Sequence, residues 1–171
     1  MRNIDPVILL IGGKGSRMDN INKKIQTPPK ALTKINSHPL ILHTMNNFIN
    51  YGYKNFIFAL GHKGYMLKDY FEKRKMIFNK KIKIYSELGN YNHIVNNDIN
   101  NIKIFLINTG INSNKTQRIS KIVKNLNVKE FIVNYGDGVG NINLNKMKIL
   151  HSKNKYLCTC ASFIPNSQYG H

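Results

Sequence analysis

Five aliphatic residues in succession, Val7-Ile8-Leu9-Leu10-Ile11, run straight into Gly12-Gly13-Lys14-Gly15-Ser16-Arg17-Met18. No other stretch narrows the possible folds as much. An uninterrupted apolar run of strand length, closed by glycines, predicts a strand buried on both faces, as in a parallel sheet. Gly12, Gly13 and Gly15 remove side chains where the backbone must turn, so main-chain N–H groups can approach an anion closely. Arg17 adds a planar cationic fork suited to phosphate oxygens. A glycine-rich turn without a ligand has the same pattern, so the rest of the chain has to decide between the two readings.

The remaining pattern alternates strands with helices. Pro39 predicts a helix start, with Ile41, Met45, Phe48 and Ile49 on one face and Gly52 as the stop. Phe56 to Leu60 predicts a second buried strand, closed by Gly61-His62-Lys63-Gly64, with a short helix from about Tyr65 to Lys73. Lys81 to Ser86 alternates as a strand, Leu88 to Asn101 reads as a long mobile loop, and Ile102 to Ile107 as another strand before Asn108-Thr109-Gly110. Ile119, Ile122, Val123 and Leu126 recur at helical spacing. Phe131 to Val133 reads as a strand running into Tyr135-Gly136-Asp137-Gly138, followed by a helix around Leu144, Met147 and Leu150 and a last strand from Tyr156 to Phe163. Strands alternating with helices predict an α/β sheet covered on both faces. In such sheets ligands bind beyond the carboxyl ends of the strands, so the glycine turns should converge on one edge.

Composition adds less. At 171 residues and 42% hydrophobic the chain suits one domain, 1–171. Its formal net charge of +18, from 26 Lys+Arg against 8 Asp+Glu, permits an anionic partner. The lysines are spread among asparagines and isoleucines rather than gathered in an arm, which speaks against nucleic acid and leaves a basic nucleic-acid-binding module as an alternative resting on the charge alone. Cys158 and Cys160 lack further ligands at zinc spacing and read as reduced, core-packing residues on one face of a strand. The six histidines share no spacing that suggests a cluster. The run at residues 7–11 is too short for a secretory signal, and nothing approaches the ~20 apolar residues of a membrane span, which predicts a cytoplasmic protein without a membrane partner.

Backbone donors, Arg17, a proline-flanked lysine in Thr27-Pro28-Pro29-Lys30 and a strand-end Asp137 suit a reaction in which one phosphate attacks another. That chemistry is mostly positioning and charge neutralisation, with Asp137 able to hold Mg²⁺. The bland alternatives are a turn aspartate and solvated cations. No Gly-Lys-Ser/Thr closes the first loop, and the dinucleotide fingerprint fails at Met18.

The stretch from Gly12 to Met18, followed by Pro29-Lys30, resembles the signature of the sugar-phosphate nucleotidyltransferases. Lys34 to Met45, Gly61 to Tyr65, Thr109-Gly110 with Arg118, and Tyr135-Gly136-Asp137-Gly138-Val139 resemble its glucose-1-phosphate cytidylyltransferase branch. The likeness covers essentially the whole chain. It implies a Rossmann-like three-layer sandwich with a mostly parallel central sheet, the nucleotide-diphospho-sugar transferase fold. It further implies Mg²⁺-dependent conversion of CTP and α-D-glucose 1-phosphate into CDP-glucose and pyrophosphate, feeding surface-polysaccharide synthesis, in a protein that assembles as a homo-oligomer. By the same resemblance Gly12, Gly13, Gly15, Ser16 and Arg17 form the nucleotide loop, and Lys30 contacts the reacting phosphates. Thr109 and Gly110 line the nucleotide, Arg118 lies near its phosphates, and Asp137 binds the metal. Three departures stand out: Pro28 replaces a lysine, Asn108 an aspartate, and Thr116-Gln117 a glycine pair. The segment after Glu87 matches poorly, which leaves a sister specificity for another nucleotide or sugar open, as well as a non-catalytic regulator. Family members continue past the position of His171, and their remainder carries a second metal-binding aspartate. The expectation is therefore a C-terminally incomplete domain that binds nucleotide with little turnover.

Overall fold

A computed structural model describes residues 5–13, 28–126 and 128–162. The chain divides into two compact units, Met1–Val139 and Gly140–His171. In the first, a six-stranded sheet is ordered β5-β6-β7-β4-β1-β8. Its strands are β1 (Val7–Leu10), β4 (Asn55–Leu60), β5 (Met76–Ile77), β6 (Lys80–Tyr85), β7 (Ile102–Asn108) and β8 (Ile132–Tyr135). All neighbours run parallel except β5, which returns antiparallel along β6. The mostly parallel sheet expected from the alternating pattern is present. β1 is central, with Ile8 opposite Ile57 on one side and Val133 on the other. The order turns back there, because the chain first builds the sheet outward from β1 through β4 and then adds β8 to the other edge of β1.

Alternation assigns each strand residue to one face. Ile8, Ile57, Ala59 and Phe105 pack under α3 (Tyr91–Asn97) and α4 (Lys115–Val123) through Tyr91, Val95 and Ile122. On the other face Phe58 meets Phe71 of α2 (Gly64–Glu72) edge to face, with ring centroids 5.2 Å apart. The amphipathic α1 (Leu40–Asn50) buries Ile41, Met45, Phe48 and Ile49, the stripe read from the sequence. Pro39 sits one residue before that helix, in an extended conformation, and belongs to a two-residue ribbon of β2 (Lys34–Ile35) and β3 (His38–Pro39). The ribbon turns through Asn36 and Ser37, both left-handed at φ 47° and 68°, the hand that a two-residue hairpin turn requires.

Three expectations are corrected. Residues 88–101 are not one long loop, because α3 lies within them. Leu88, Tyr91 and Val95 form a buried helical stripe, and the Asn90 side chain accepts from the His93 N–H to cap it. No strand forms over residues 156–162, and Phe163 lies outside the described residues. A strand exists only through a partner's ladder, and alternating side chains by themselves supply none. Cys158 and Cys160 are accordingly exposed free thiols, their sulfurs 3.7 Å apart, rather than core residues. The second unit contains α5 (Leu144–Asn154), capped by the Asn143 side chain on the Lys146 N–H. No helix among the described residues is long and apolar enough to cross a membrane.

A charged cluster closes the amino-terminal end of β7. Lys103 is only 1% exposed and donates its ammonium to Asn101 O at 3.1 Å. Asp98 accepts from Lys83 Nζ at 2.8 Å and from Asn101 Nδ2 at 2.9 Å. Burial pushes the Lys103 ammonium below its ordinary range. For Asp98, burial opposes the charged form, but the Lys83 and Asn101 hydrogen bonds outweigh it and hold the carboxyl well below the usual carboxylate range. A carboxyl depressed in the folded state stabilises the fold above its unfolded value of about 4, and that stability is lost as pH falls. Urea midpoints measured from pH 7 down to pH 3 should fall more steeply for the parent chain than for Asp98→Asn; equal slopes would count against this cluster.

Candidate active site

Gly12, Gly61, Thr109-Gly110 and Gly136-Asp137-Gly138 each follow the carboxyl end of a parallel strand, and hydrogen bonds knit them into one edge. Gly136 N–H donates to Leu10 O at 3.1 Å, and Thr44 Oγ1 from α1 donates to Gly136 O at 3.2 Å. A Cβ on Gly136 would stand 2.7 Å from Ile11 Cγ1, so only glycine brings the end of β8 this close to β1. The Asp137 turn is closed by Gly138 N–H on Tyr135 O at 3.1 Å and by Asn134 Nδ2 on Gly138 O at 2.9 Å. This fixes the backbone and leaves the Asp137 carboxylate exposed.

Arg118 of α4 is 5% exposed and lies at the centre of the edge. Nη1 donates to Leu60 O at 3.0 Å and to Thr109 Oγ1 at 2.6 Å, and Nη2 donates to Gly12 O at 2.9 Å and to Ile111 O at 3.4 Å. Burial pushes its guanidinium below its ordinary value. Thr109 is fully buried, and both its N–H and its hydroxyl donate to Leu60 O, at 3.0 and 2.6 Å. Gly110 follows at φ +96°, a left-handed conformation natural to glycine. Pro29 is extended at φ −58° and ψ 146°, and the chain winds one 3-10 turn at Lys30–Leu32 directly after it. Ala31 is buried, Leu32 N–H donates to Pro29 O at 2.8 Å, and Leu40 N–H donates to Thr33 O at 2.8 Å, tying the turn to α1. Lys30 itself is exposed.

Of the residues picked out in the sequence, Gly12, Thr109 and Arg118 therefore share one network, and Gly110 beside it donates its N–H to Asn108 Oδ1. Gly13 follows on the same loop with open space where a Cβ would stand. Lys30 and Asp137 sit on separately anchored turns. Gly15, Ser16 and Arg17 lie outside the described residues. Two contributors were not expected. Lys121, one turn beyond Arg118, donates to Thr109 O at 2.8 Å and to Ser113 Oγ at 3.2 Å. Lys115 places its ammonium 4.9 Å from the Tyr135 ring centroid, a cation–π contact joining the start of α4 to the end of β8. The i, i+3 spacing of Arg118 and Lys121 was the available signal for the first; the second depends on the strand order. Beside this network an open cavity of about 780 Å³ is lined by the 110–113 loop and α4.

As to a metal, no group of three or more His, Cys, Asp or Glu among the described residues could hold one alone. Asp137 offers a single exposed carboxylate on a fixed turn. Magnesium takes one or two carboxylates and completes its shell with substrate phosphates and water, so this donor set fits Mg²⁺ brought in with a polyphosphate.

A parallel α/β sheet whose glycine turns meet at the strand-order reversal defines a nucleotide-type binding edge. Residues 6–87 match the nucleotidyl transferase family. A relative from Bacillus subtilis (strain 168), described as a probable glucose-1-phosphate cytidylyltransferase, is 30% identical over 163 residues, 95% of this chain and 62% of its own length. The glucose-1-phosphate cytidylyltransferase of Salmonella typhimurium is 24% identical over 164 residues, with the same 95% and 62% shares. In fold, HddC from Yersinia pseudotuberculosis complexed with GMP-PN is similar, with a TM-score of 0.60 and 20% identity over 86% of this chain and 54% of that one. The chain is thus similar to nucleotidyl transferases over residues 6–87 and to glucose-1-phosphate cytidylyltransferases along 95% of its length. It spans 62% of the length of the curated relatives it matches.

Proposed function

We propose that the protein serves Mg²⁺-dependent transfer of a cytidylyl group from CTP to α-D-glucose 1-phosphate, giving CDP-glucose and pyrophosphate. The observation that carries the reaction class is the convergence of the Gly12, Thr109-Gly110 and Asp137 loops on one sheet edge. The choice of base and sugar is supported by the names of the two relatives aligned along 95% of the chain. In this reading a phosphate oxygen of the sugar 1-phosphate attacks the α-phosphorus of CTP, and the bond to the leaving pyrophosphate breaks. Two polyanions repel each other, so the protein's work is to hold them in line and to neutralise the charge that gathers on the transferring phosphate. Backbone N–H groups at Gly12 and Gly13 and the charges of Lys30 and Arg17 would supply positive potential in this reading. Asp137 would hold Mg²⁺, which contributes charge neutralisation when bound with the nucleotide. CDP-glucose made in this way serves surface-polysaccharide synthesis, and a cytoplasmic site would give access to both substrates.

Calorimetric titration of the chain with CTP, UTP, dTTP, GTP and ATP in Mg²⁺ tests the reading. Binding of CTP in preference to the others is expected. Preference for another base would keep the reaction class and change the donor, whereas no binding of any nucleotide would overturn the proposal.

A further inference from the structure

We infer that Arg118 is a positioning residue that clamps three strand-end loops through their own backbone, and that Gly12 and Gly61 are glycines in order to admit it. Its bearing on nucleotide rests on the function proposed above. A guanidinium carries two N–H donors on each terminal nitrogen and one on Nε. In Arg118 both terminal nitrogens face two acceptors each: Leu60 O and Thr109 Oγ1 for Nη1, and Gly12 O and Ile111 O for Nη2. All four terminal donors are spent inside the protein, one set of acceptors each from the loops after β1, β4 and β7. A phosphate would have to break this set in order to recruit the fork.

The glycines give the same account independently. A Cβ on Gly12 would stand 2.2 Å from Arg118 Nη1 and 2.3 Å from Cζ, and its three nearest neighbours would all be Arg118 atoms. A Cβ on Gly61 would stand 2.6 Å from Nη1 and 2.7 Å from both Nη2 and the Gly12 backbone O, so main chain crowds this position together with the fork. The guanidinium thus lies flat against two bare stretches of main chain. The Gly12 carbonyl shares its peptide plane with the Gly13 N–H, so fixing that carbonyl fixes the direction in which the Gly13 N–H points. Thr109 Oγ1 completes the clamp by donating to Leu60 O while accepting from Arg118.

The test has two arms. In the first, thermal unfolding is measured for Gly12→Ala, Arg118→Ala and the double variant. Gly12→Ala alone should lower the midpoint by several degrees, and in the Arg118→Ala background it should cost nothing further, because its colliding atoms are gone. Additive losses would overturn the clamp. Arg118→Leu, which keeps an apolar stem and drops the fork, replaces alanine in the cycle if the alanine variant does not fold. In the second arm, affinities for CTP, CDP and CMP are compared. A positioning role predicts that Arg118→Ala weakens all three by the same factor, and that Arg118→Lys behaves like alanine, since one ammonium cannot serve four divergent acceptors. A loss confined to CTP and restored by lysine would overturn the inference and make Arg118 a phosphate ligand. If the parent chain bound no nucleotide, the proposed function would fall, while the unfolding cycle would still decide the clamp.

Discussion

Phe105→Ala should lower the thermal midpoint by on the order of 10 °C, the largest stability loss expected from a single side chain here. Phe105 is fully buried in β7. Its ring stacks on Tyr85 with centroids 4.9 Å apart and planes 18° from parallel, and it meets Tyr91 at 5.3 Å. The same cluster includes Ile57 from neighbouring β4, Ile8 from β1 beyond it, Val95 from α3 and Ile122 from α4. Removing the ring therefore opens a gap in the cluster that joins these strands to both helices of that face. Truncating a buried phenylalanine costs about 3 to 5 kcal/mol when the site does not collapse. A circular-dichroism melt reads the effect, and a shift of only a degree or two would show that α3 packs more loosely than its buried Tyr91 and Val95 imply.

Lys30→Ala should weaken nucleotide binding by about 10- to 100-fold and leave the melting midpoint unchanged. A hydrogen bond from a charged donor contributes about 1.5 to 3 kcal/mol, and each 1.4 kcal/mol is a factor of ten in affinity. Lys30 is exposed, so its removal leaves no cavity, while Ala31 and the Leu40 N–H bond to Thr33 O hold the turn in place without it. This separation of binding from folding distinguishes a ligand-facing lysine from a merely solvated one. Titration of CTP into the variant in Mg²⁺ decides it; unchanged affinity would remove Lys30 from the proposed site.

What the sequence reveals follows from what each feature depends on. β1, β4 and β7 were legible because a strand buried on both faces reads as an unbroken apolar run. α1 and α4 were legible because their apolar residues recur at helical spacing. α3 was not, because Asn90, Asn92, Asn96 and Asn97 surround Leu88, Tyr91 and Val95 and dilute a real stripe below notice. The β2–β3 and β5–β6 turns were invisible for another reason. They place Asn36, Ser37, Phe78 and Asn79 in the left-handed region where glycine is the usual signal. Lys103 shows the limit of polarity as a guide, since a charged residue between Ile102 and Ile104 occupies a buried strand position by donating to Asn101 O.

In the site, spacing identified which loops meet but not how they are held. Gly12, Thr109 and Arg118 were singled out as ligand contacts, and the structure joins them to one another. Whether an arginine turns inward or outward depends on which carbonyls its neighbours leave unpaired, and that depends on strand ends far apart in the chain.

The place of β8 beside β1 has a consequence for synthesis. Val7 leaves the ribosome long before the strand that completes its second edge, which begins at Ile132. While the chain between them is being made, this buried apolar strand has one open edge, which an adjacent nascent chain can occupy as readily as its own partner. Of the parallel strands among the described residues, the last to emerge is thus the one that seals the second edge of β1, and a ribosome that pauses before Ile132 holds a half-closed sheet in need of a chaperone.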